Sequence, residues 1–333
     1  VSEWTVREAT PRQREELLET EGRLFSPGSA LRARWLFEAN PAGKALVLVA
    51  TTPGSRIAGT RALLPWTLLV DGRPVRVGQY ARTWTDPEFR HRGVSVAIGE
   101  ALNRCSVERG YPLVFLFPSV RSIPGHRRIG NRVETLLERR QTLASLRFFK
   151  PWLPGATVAL AMLRRVRARH AVGQVTWQPE TDAAGLAEAL LPRLSSRPGV
   201  FGIRDAAFVG WRYSADSGRI YRAWREHSGR LAAITHFADG RAKIVDLWGE
   251  ADAALLAAAA AALVEILARE GARLVEWCPS AFGPQAAAAG RAGLFRRRQG
   301  VPLARWFNRP EGELGALADL ESYRLTEGDS DYA

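Results

Sequence analysis

The chain has little cysteine, little lysine and no long apolar run, and each scarcity removes a class of protein. Its two cysteines, Cys105 and Cys278, lie far apart. One sits inside an apolar helical run and the other ends an apolar run, so two buried free thiols are expected rather than a disulfide framework. That usage fits a reducing cytoplasm. No stretch approaches the ~18 apolar residues of a membrane span, and the first residues carry no signal-peptide pattern. The five histidines, His91, His126, His170, His227 and His236, show no ligand spacing with a cysteine or carboxylate cluster, so no metal is expected. His170 and His227 read as exposed, and His236 as a satisfied histidine on a strand.

Positive charge is plentiful. The formal net charge is +13, and the only lysines are Lys44, Lys150 and Lys243, so the excess is arginine. Such a surface favours anionic partners: phosphorylated small molecules, nucleic acid or lipid headgroups. The chain also has 11 Trp and 13 Phe, which raises base stacking as an option. The tryptophans recur at matched places in an internal repeat, however, and packing explains that better than nucleic-acid binding. With 333 residues, 46% hydrophobic and 24% charged, the chain reads as a globular protein of two domains.

The repeat is the most informative feature. "EALNRCSVERGYPLVFLFPS", residues 100 to 119, lies over "AALVEILAREGARLVEWCPS", residues 261 to 280, without a gap. Each copy reads as a helix ended by glycine (Gly110, Gly271), a short apolar strand, then Pro-Ser. Upstream, Trp35 pairs with Trp211 before a turn and a strand, and Trp84 and Trp248 close comparable strands. Each half therefore predicts strand, helix, helix, a three-strand meander, helix, strand, helix, strand, which is a mixed α/β sheet. The join is expected within residues 150 to 174, as one long basic amphipathic helix. That helix reads as a connector packed between domains, with peripheral membrane contact as the alternative. From Glu311 onward the chain is acidic and is expected either to pair with the basic body or to be partly disordered.

The halves differ most where a helix begins. From Trp84 to Pro118 is 34 residues, against 31 from Trp248 to Pro279. Copy one has "TDPEFRHRGVSVAI" where copy two has "GEADAALLAAAA". A helix N-terminus offers unpaired N–H groups and the positive end of its dipole, which suits phosphate. Gly93 lets backbone approach an anion with no Cβ in the way, and Arg90 and Arg92 add charge. The first half alone carries this loop. An arginine-rich helix cap is the plainer alternative.

"RHRGVS", Arg90 to Ser95, after a strand and opening a helix, resembles the acyl-CoA-binding motif of the GNAT (Gcn5-related) N-acyltransferases, Arg/Gln-x-x-Gly-x-Gly/Ala, with Ser95 at the last small position. "FPSVRSIPGHRRIGN", Phe117 to Asn131, is similar to the family's following strand-end and helix segment. Ser119 stands there for an asparagine, and His126 for an aromatic. The resemblance implies two tandem GNAT-like domains, each a twisted, mainly antiparallel mixed sheet flanked by helices: residues 1–150, a linker helix 151–173, a degenerate domain 174–310 and the tail 311–333. The ending "YRLTEGDSD", Tyr323 to Asp331, is similar to tails of tandem members.

By the same resemblance, acetyl-CoA or another acyl-CoA would be the cosubstrate, held by His91, Val94, Ser95, Ser119 and Ser122 besides Arg90, Arg92 and Gly93. Thr83, Trp84 and Thr85 would contribute mainly backbone to the pantetheine arm. The acyl group would pass directly to the amine of a small molecule such as an amino sugar. Many members protonate the departing thiolate from a tyrosine. His126 is the nearest residue here, as a base or water relay, or as an aromatic that only packs. Trp224, His236, Asp246, Trp248 and Glu276 of the second half are candidates for an acceptor wall. A non-catalytic CoA sensor or scaffold is the rival reading.

Overall fold

In the computed structural model, residues 4–24, 29–144 and 175–330 are described. The expected linker helix, His170 and the last three residues of the tail lie outside them.

The first half runs β1 (Thr5–Glu8), α1 (Pro11–Leu24), α2 (Ser29–Glu38), β2 (Leu46–Thr51), β3 (Ile57–Val70), β4 (Arg73–Thr85), α3 (Val94–Glu108), β5 (Leu113–Leu116), α4 (Ile123–Arg128), β6 (Arg132–Leu137) and β7 (Arg140–Leu143). The second runs β8 (Trp177–Glu180), α5 (Ala183–Ser195), β9 (Val200–Gly202), α6 (Ala206–Arg212), β10 (Tyr221–Glu226), β11 (Leu231–Ala238), β12 (Arg241–Gly249), α7 (Ala253–Arg269), β13 (Leu274–Trp277), α8 (Pro284–Arg291), β14 (Phe295–Arg296) and β15 (Val301–Phe307). The expected order is present in both halves, except that each ends on two strands, β6 and β7 or β14 and β15, where one was expected. The second adds β9, a short strand that pairs with β3 of the first.

Turn chemistry repeats with the elements. The β3–β4 and β11–β12 hairpins both turn on Asp-Gly, at Asp71-Gly72 (φ 47 and 78) and Asp239-Gly240 (φ 51 and 72). Left-handed backbone at both central residues matches the twist of the flanking strands. A Cβ on Gly72 would lie 2.0 Å from the Ser195 carbonyl oxygen, so the first hairpin tip rests directly on the end of α5.

The strands form two sheets, ordered β1-β2-β3-β4-β5-β15-β6 and β14-β7-β13-β12-β11-β10-β8. Only β4–β5 and β12–β13 are parallel among these neighbours. The last strand of each half has crossed to the other sheet. β15 sits between β5 and β6, pairing Arg305 with Phe115 on one side and with Arg132 on the other. β7 sits between β13 and β14, pairing Gln141 with Glu276 and with Phe295. The halves are therefore joined by reciprocal strand exchange, and each sheet needs both stretches of chain to be continuous.

Three large apolar clusters follow. One, including Val94, Ile98, Leu102, Tyr80 and Val114, lies under α3. One lies under the alanine-rich α7. The largest fills the space between the sheets and contains Trp35, Trp66, Trp211 and Trp248. Of the two cysteines, both free, Cys278 is buried and Cys105 half-buried.

The acidic tail pairs with the basic body. Asp329 accepts from Arg204 Nη1 at 2.9 Å and Nη2 at 3.0 Å, while Arg212 Nε donates to the Gly328 carbonyl at 2.8 Å. Glu311 pairs with Arg132. Among the described residues, no helix is long and apolar enough to cross a membrane.

Candidate active site

β4 and β5 pair over only two registers, Gly78 with Val114 and Gln79 with Phe115. Beyond them the strands diverge, and β4 continues to Thr85 with no partner on that side. α3 begins at the open end of this splay. Its cap is Gly93, left-handed at φ 82, with no side chain capping the helix. A Cβ on Gly93 would meet nothing within 4 Å, so the first turn of α3 opens onto free space. The residues ahead of it are braced. Arg56 bonds Asp86 at 2.7 Å and Glu88 at 2.6 Å, and Trp4 Nε1 donates to the Arg92 carbonyl at 3.1 Å.

A cleft of about 710 Å³ lies here, within the range of small-molecule sites. Of the residues singled out in the sequence, Thr83, Trp84, Thr85, Arg90, His91, Gly93, Val94, Ser95 and Ser122 line it. Three do not. The Arg92 guanidinium lies over the Trp4 ring at 5.6 Å and the Phe89 ring at 5.8 Å. Ser119 stands behind Ser122, whose hydroxyl donates to its carbonyl at 2.9 Å. His126 is buried, 1% exposed, with its ring 6.3 Å from that of Tyr80.

Burial, reinforced by the charge of Arg61, pushes the His126 imidazole down to about 3. It is therefore neutral throughout the physiological range, with Nδ1 buried and unpartnered. Tyr80 donates to Asn103 Oδ1 and is pushed well up by burial. Neither group titrates near neutrality.

Sequence reading missed Arg61, and missed Arg121 and Arg128 at the same cleft. Arg61 is 2% exposed, has no carboxylate partner among the described residues, and lies over the Tyr80 ring at 5.2 Å. Its Nε donates to Thr83 Oγ1 at 2.9 Å and its Nη2 to Ser95 Oγ at 3.0 Å. Nη1 has no partner, and burial lowers its pKa. A guanidinium only donates. Both hydroxyl oxygens must therefore accept from it, which leaves their own O–H groups free to donate into the cleft. The available signal was a lone arginine in the otherwise apolar strand "IAGTRALLPWTLLV".

The second half has closed the corresponding place. α7 is capped by its own carboxylate, Asp252, which accepts from Leu255 N–H at 2.6 Å. Gln285 of α8 donates to the Leu247 carbonyl of β12 at 2.9 Å. The remaining void beside Leu247 and Gln285 is about 20 Å³. An anion has room at one helix start and meets a carboxylate at the other.

The candidate acceptor wall divides. His236 and Glu276 share one face of the second sheet. Trp224 is packed in the cluster under α7, Trp248 lies in the core between the sheets, and Asp246 is buried against Arg204 and Tyr213. His227 is exposed, and His236 Nδ1 lies 2.9 Å from the Ile220 carbonyl. Among the described residues one group, Glu276, Cys278 and Glu327, has a metal-like arrangement. Lys243 Nζ already lies 2.6 Å from Glu327 and 3.7 Å from Glu276.

The architecture agrees with comparisons to known proteins. Residues 5–133 match the acetyltransferase (GNAT) domain family. No curated protein matches the chain. Among solved structures, a GCN5-related N-acetyltransferase from Kribbella flavida is similar at 16% identity and TM-score 0.61, covering 91% of this chain and 72% of that one. One from Anabaena variabilis is similar at 13% identity and TM-score 0.64, with coverages of 90% and 72%. A Pyrococcus horikoshii protein superposes over 99% of this chain and 96% of its own at TM-score 0.56 and 10% identity. At such identities the likeness establishes the fold. The match to the GNAT acetyltransferase domain family is confined to residues 5–133, and the likeness in fold extends over both halves.

Proposed function

We propose that the protein is an acyl-CoA-dependent N-acyltransferase with one coenzyme site per chain, in the first-half cleft. The observation that carries this reading is the uncapped, glycine-started α3 at the mouth of the β4–β5 splay, set against the Asp252-capped α7 of the second half. The donor set fits a diphosphate: the backbone N–H groups at the start of α3, the outward hydroxyls of Thr83 and Ser95, and the guanidinium groups of Arg90, Arg121 and Arg128. The unpaired edge of β4 at Thr83 to Thr85 suits an amide-bearing arm.

When bound, acyl-CoA supplies a thioester whose carbonyl carbon bonds to the acceptor nitrogen as the C–S bond breaks, the amine proton ending on the thiol. This chain's residues hold and orient. His126, neutral, acts as a packing group beside Tyr80 rather than as a titrating acid. The acceptor is a small-molecule amine and the acyl group acetyl, in a cytoplasmic setting suited to two free thiols.

A CoA sensor without turnover is the second reading, favoured by the burial that keeps His126 neutral. Calorimetry with CoA decides the site: one site per chain is expected, lost in Gly93→Val, where a branched side chain meets both the φ of 82 and the open cleft. Two equivalent sites, or full binding by that variant, would overturn it. Thiol release from acetyl-CoA across an amine panel separates enzyme from sensor. In the second half, Asp252→Ala is expected to cost about 1 kcal/mol of stability and to create no second site.

A further inference from the structure

The second sheet carries a polar row straight across five strands. Tyr221 pairs in register with His236, His236 with Lys243, Lys243 with Glu276, and Glu276 with Gln141. All five are half-buried. They lie on the face that elsewhere carries Ile234 and Val245 into the core between the sheets. A covered sheet face is ordinarily apolar, and a run of hydrogen-bonding groups at one level is what a ligand floor requires. The Tyr221 hydroxyl is buried with no partner.

A cleft of about 700 Å³ meets this row at His236, Lys243 and Gln141, and is rimmed by Arg219, Arg241 and Arg273. Lys243 is neutralised by Glu327 and Glu276. Arg219 and Arg241 have no carboxylate partner among the described residues, and Asp239 is the one acidic residue of the lining. The cleft therefore carries uncompensated positive charge over a polar floor, which selects for an oxyanion attached to a hydroxyl- or amide-bearing body.

The cleft and the splay share no lining residue, and a hydrogen-bonded turn stands between them. Lys243 Nζ donates to Glu327 at 2.6 Å, and Gln79 Nε2, at the last paired register of β4 and β5, donates to the Asp329 carbonyl at 2.6 Å. One 3-10 turn, Glu327–Asp329, thus links the polar row to the point where the first-half strands part.

We infer that this second-sheet cleft is a binding site, separate from the coenzyme cleft, for a small molecule bearing a phosphate or carboxylate, held by Arg219 and Arg241. The inference goes beyond the acyltransferase reading and does not depend on it. It is tested on the full chain with the first-half cleft saturated by CoA, titrating inorganic phosphate and, separately, citrate by calorimetry. Saturable binding is expected, weakened about tenfold or more in Arg219→Ala/Arg241→Ala, with CoA affinity and Tm unchanged because neither arginine is tied into an ion pair. The tighter of the two anions identifies the ligand's charged group. Absence of saturable anion binding, or equal binding by the double variant, overturns the inference. So does a short oligonucleotide that displaces both anions, since that assigns the cleft to nucleic acid. If CoA fails to bind, the acyltransferase reading fails by itself, and the same comparison of wild type with the double variant still decides the cleft.

Discussion

Trp35 of α2 and Trp211 of α6, which hold the same place in the two halves, stack on each other with ring centroids 4.7 Å apart and 21° between planes. Trp66 meets Trp211 edge-on at 5.8 Å. Matched tryptophans in a repeat have here become one contact between its copies, at the centre of the core between the sheets. A double-mutant cycle on Trp35→Leu and Trp211→Leu should give a coupling of ~0.5–1.5 kcal/mol in denaturant unfolding. Strict additivity would mean that each ring packs against its own half alone.

Reciprocal strand exchange sets the unit of folding. Without β15, β5 and β6 have no common neighbour, and Arg305, whose guanidinium donates to the Leu317 and Ala318 carbonyls at 3.3 and 3.0 Å and reaches Glu134 at 2.5 Å, is lost with it. A fragment of residues 1–144 is therefore expected to lack a cooperative thermal transition, and mixing it with residues 175–333 to restore one. Circular dichroism on each fragment and on the mixture checks this. A first half that melts cooperatively alone would show that β15 is dispensable.

The element order and the phosphate-type loop were legible because both are local. Helix periodicity, a glycine stop and a Pro-Ser strand end recur with little change, and Arg90 to Ser95 lies within six residues. The exchange was not legible, since nothing in "RQTL" at Arg140–Leu143 or "VPLARWF" at Val301–Phe307 says which sheet a strand will join. Partner choice depends on packing over more than a hundred residues of sequence separation. Ser95 was noted as a departure from the usual small residue, and only its bond from Arg61 explains why a hydroxyl stands there. His126 was read as standing in the place of an aromatic, while its burial depends on Tyr80 and Arg61 from distant strands.

Arg61 supplies a direct test of the cleft. It is a buried cation whose Nη1 has no partner, so replacing it by a neutral side chain of similar length removes a desolvation cost along with two hydrogen bonds. Arg61→Met should leave Tm the same or raise it while weakening CoA binding about tenfold, or about 1.4 kcal/mol. Ser95→Ala should weaken binding by less. Thermal melts and calorimetry on both variants read the two effects separately. A large loss of stability with unchanged CoA affinity would make Arg61 a structural residue only.

His126 sets a pH dependence whose sign follows from its environment. Its ordinary value is 6.5, and in the folded chain burial and Arg61 bring it down to about 3. Between those values the unfolded chain takes up a proton that the folded chain refuses, so unfolding is favoured as pH falls through that window. The stability tied to a neutral His126 is complete above pH ~6.5 and declines toward pH ~3, with a slope of at most ~1.4 kcal/mol per pH unit. His126→Phe should flatten that part of the stability curve, measured by urea unfolding between pH 4 and 7 against wild type. The same variant should leave the pH profile of turnover without a changed limb near 6 to 7, since the wild-type imidazole does not titrate there. A limb in that range present in wild type and absent from His126→Phe would mean that the ring is exposed to the reacting groups, and would return it to the role of proton carrier.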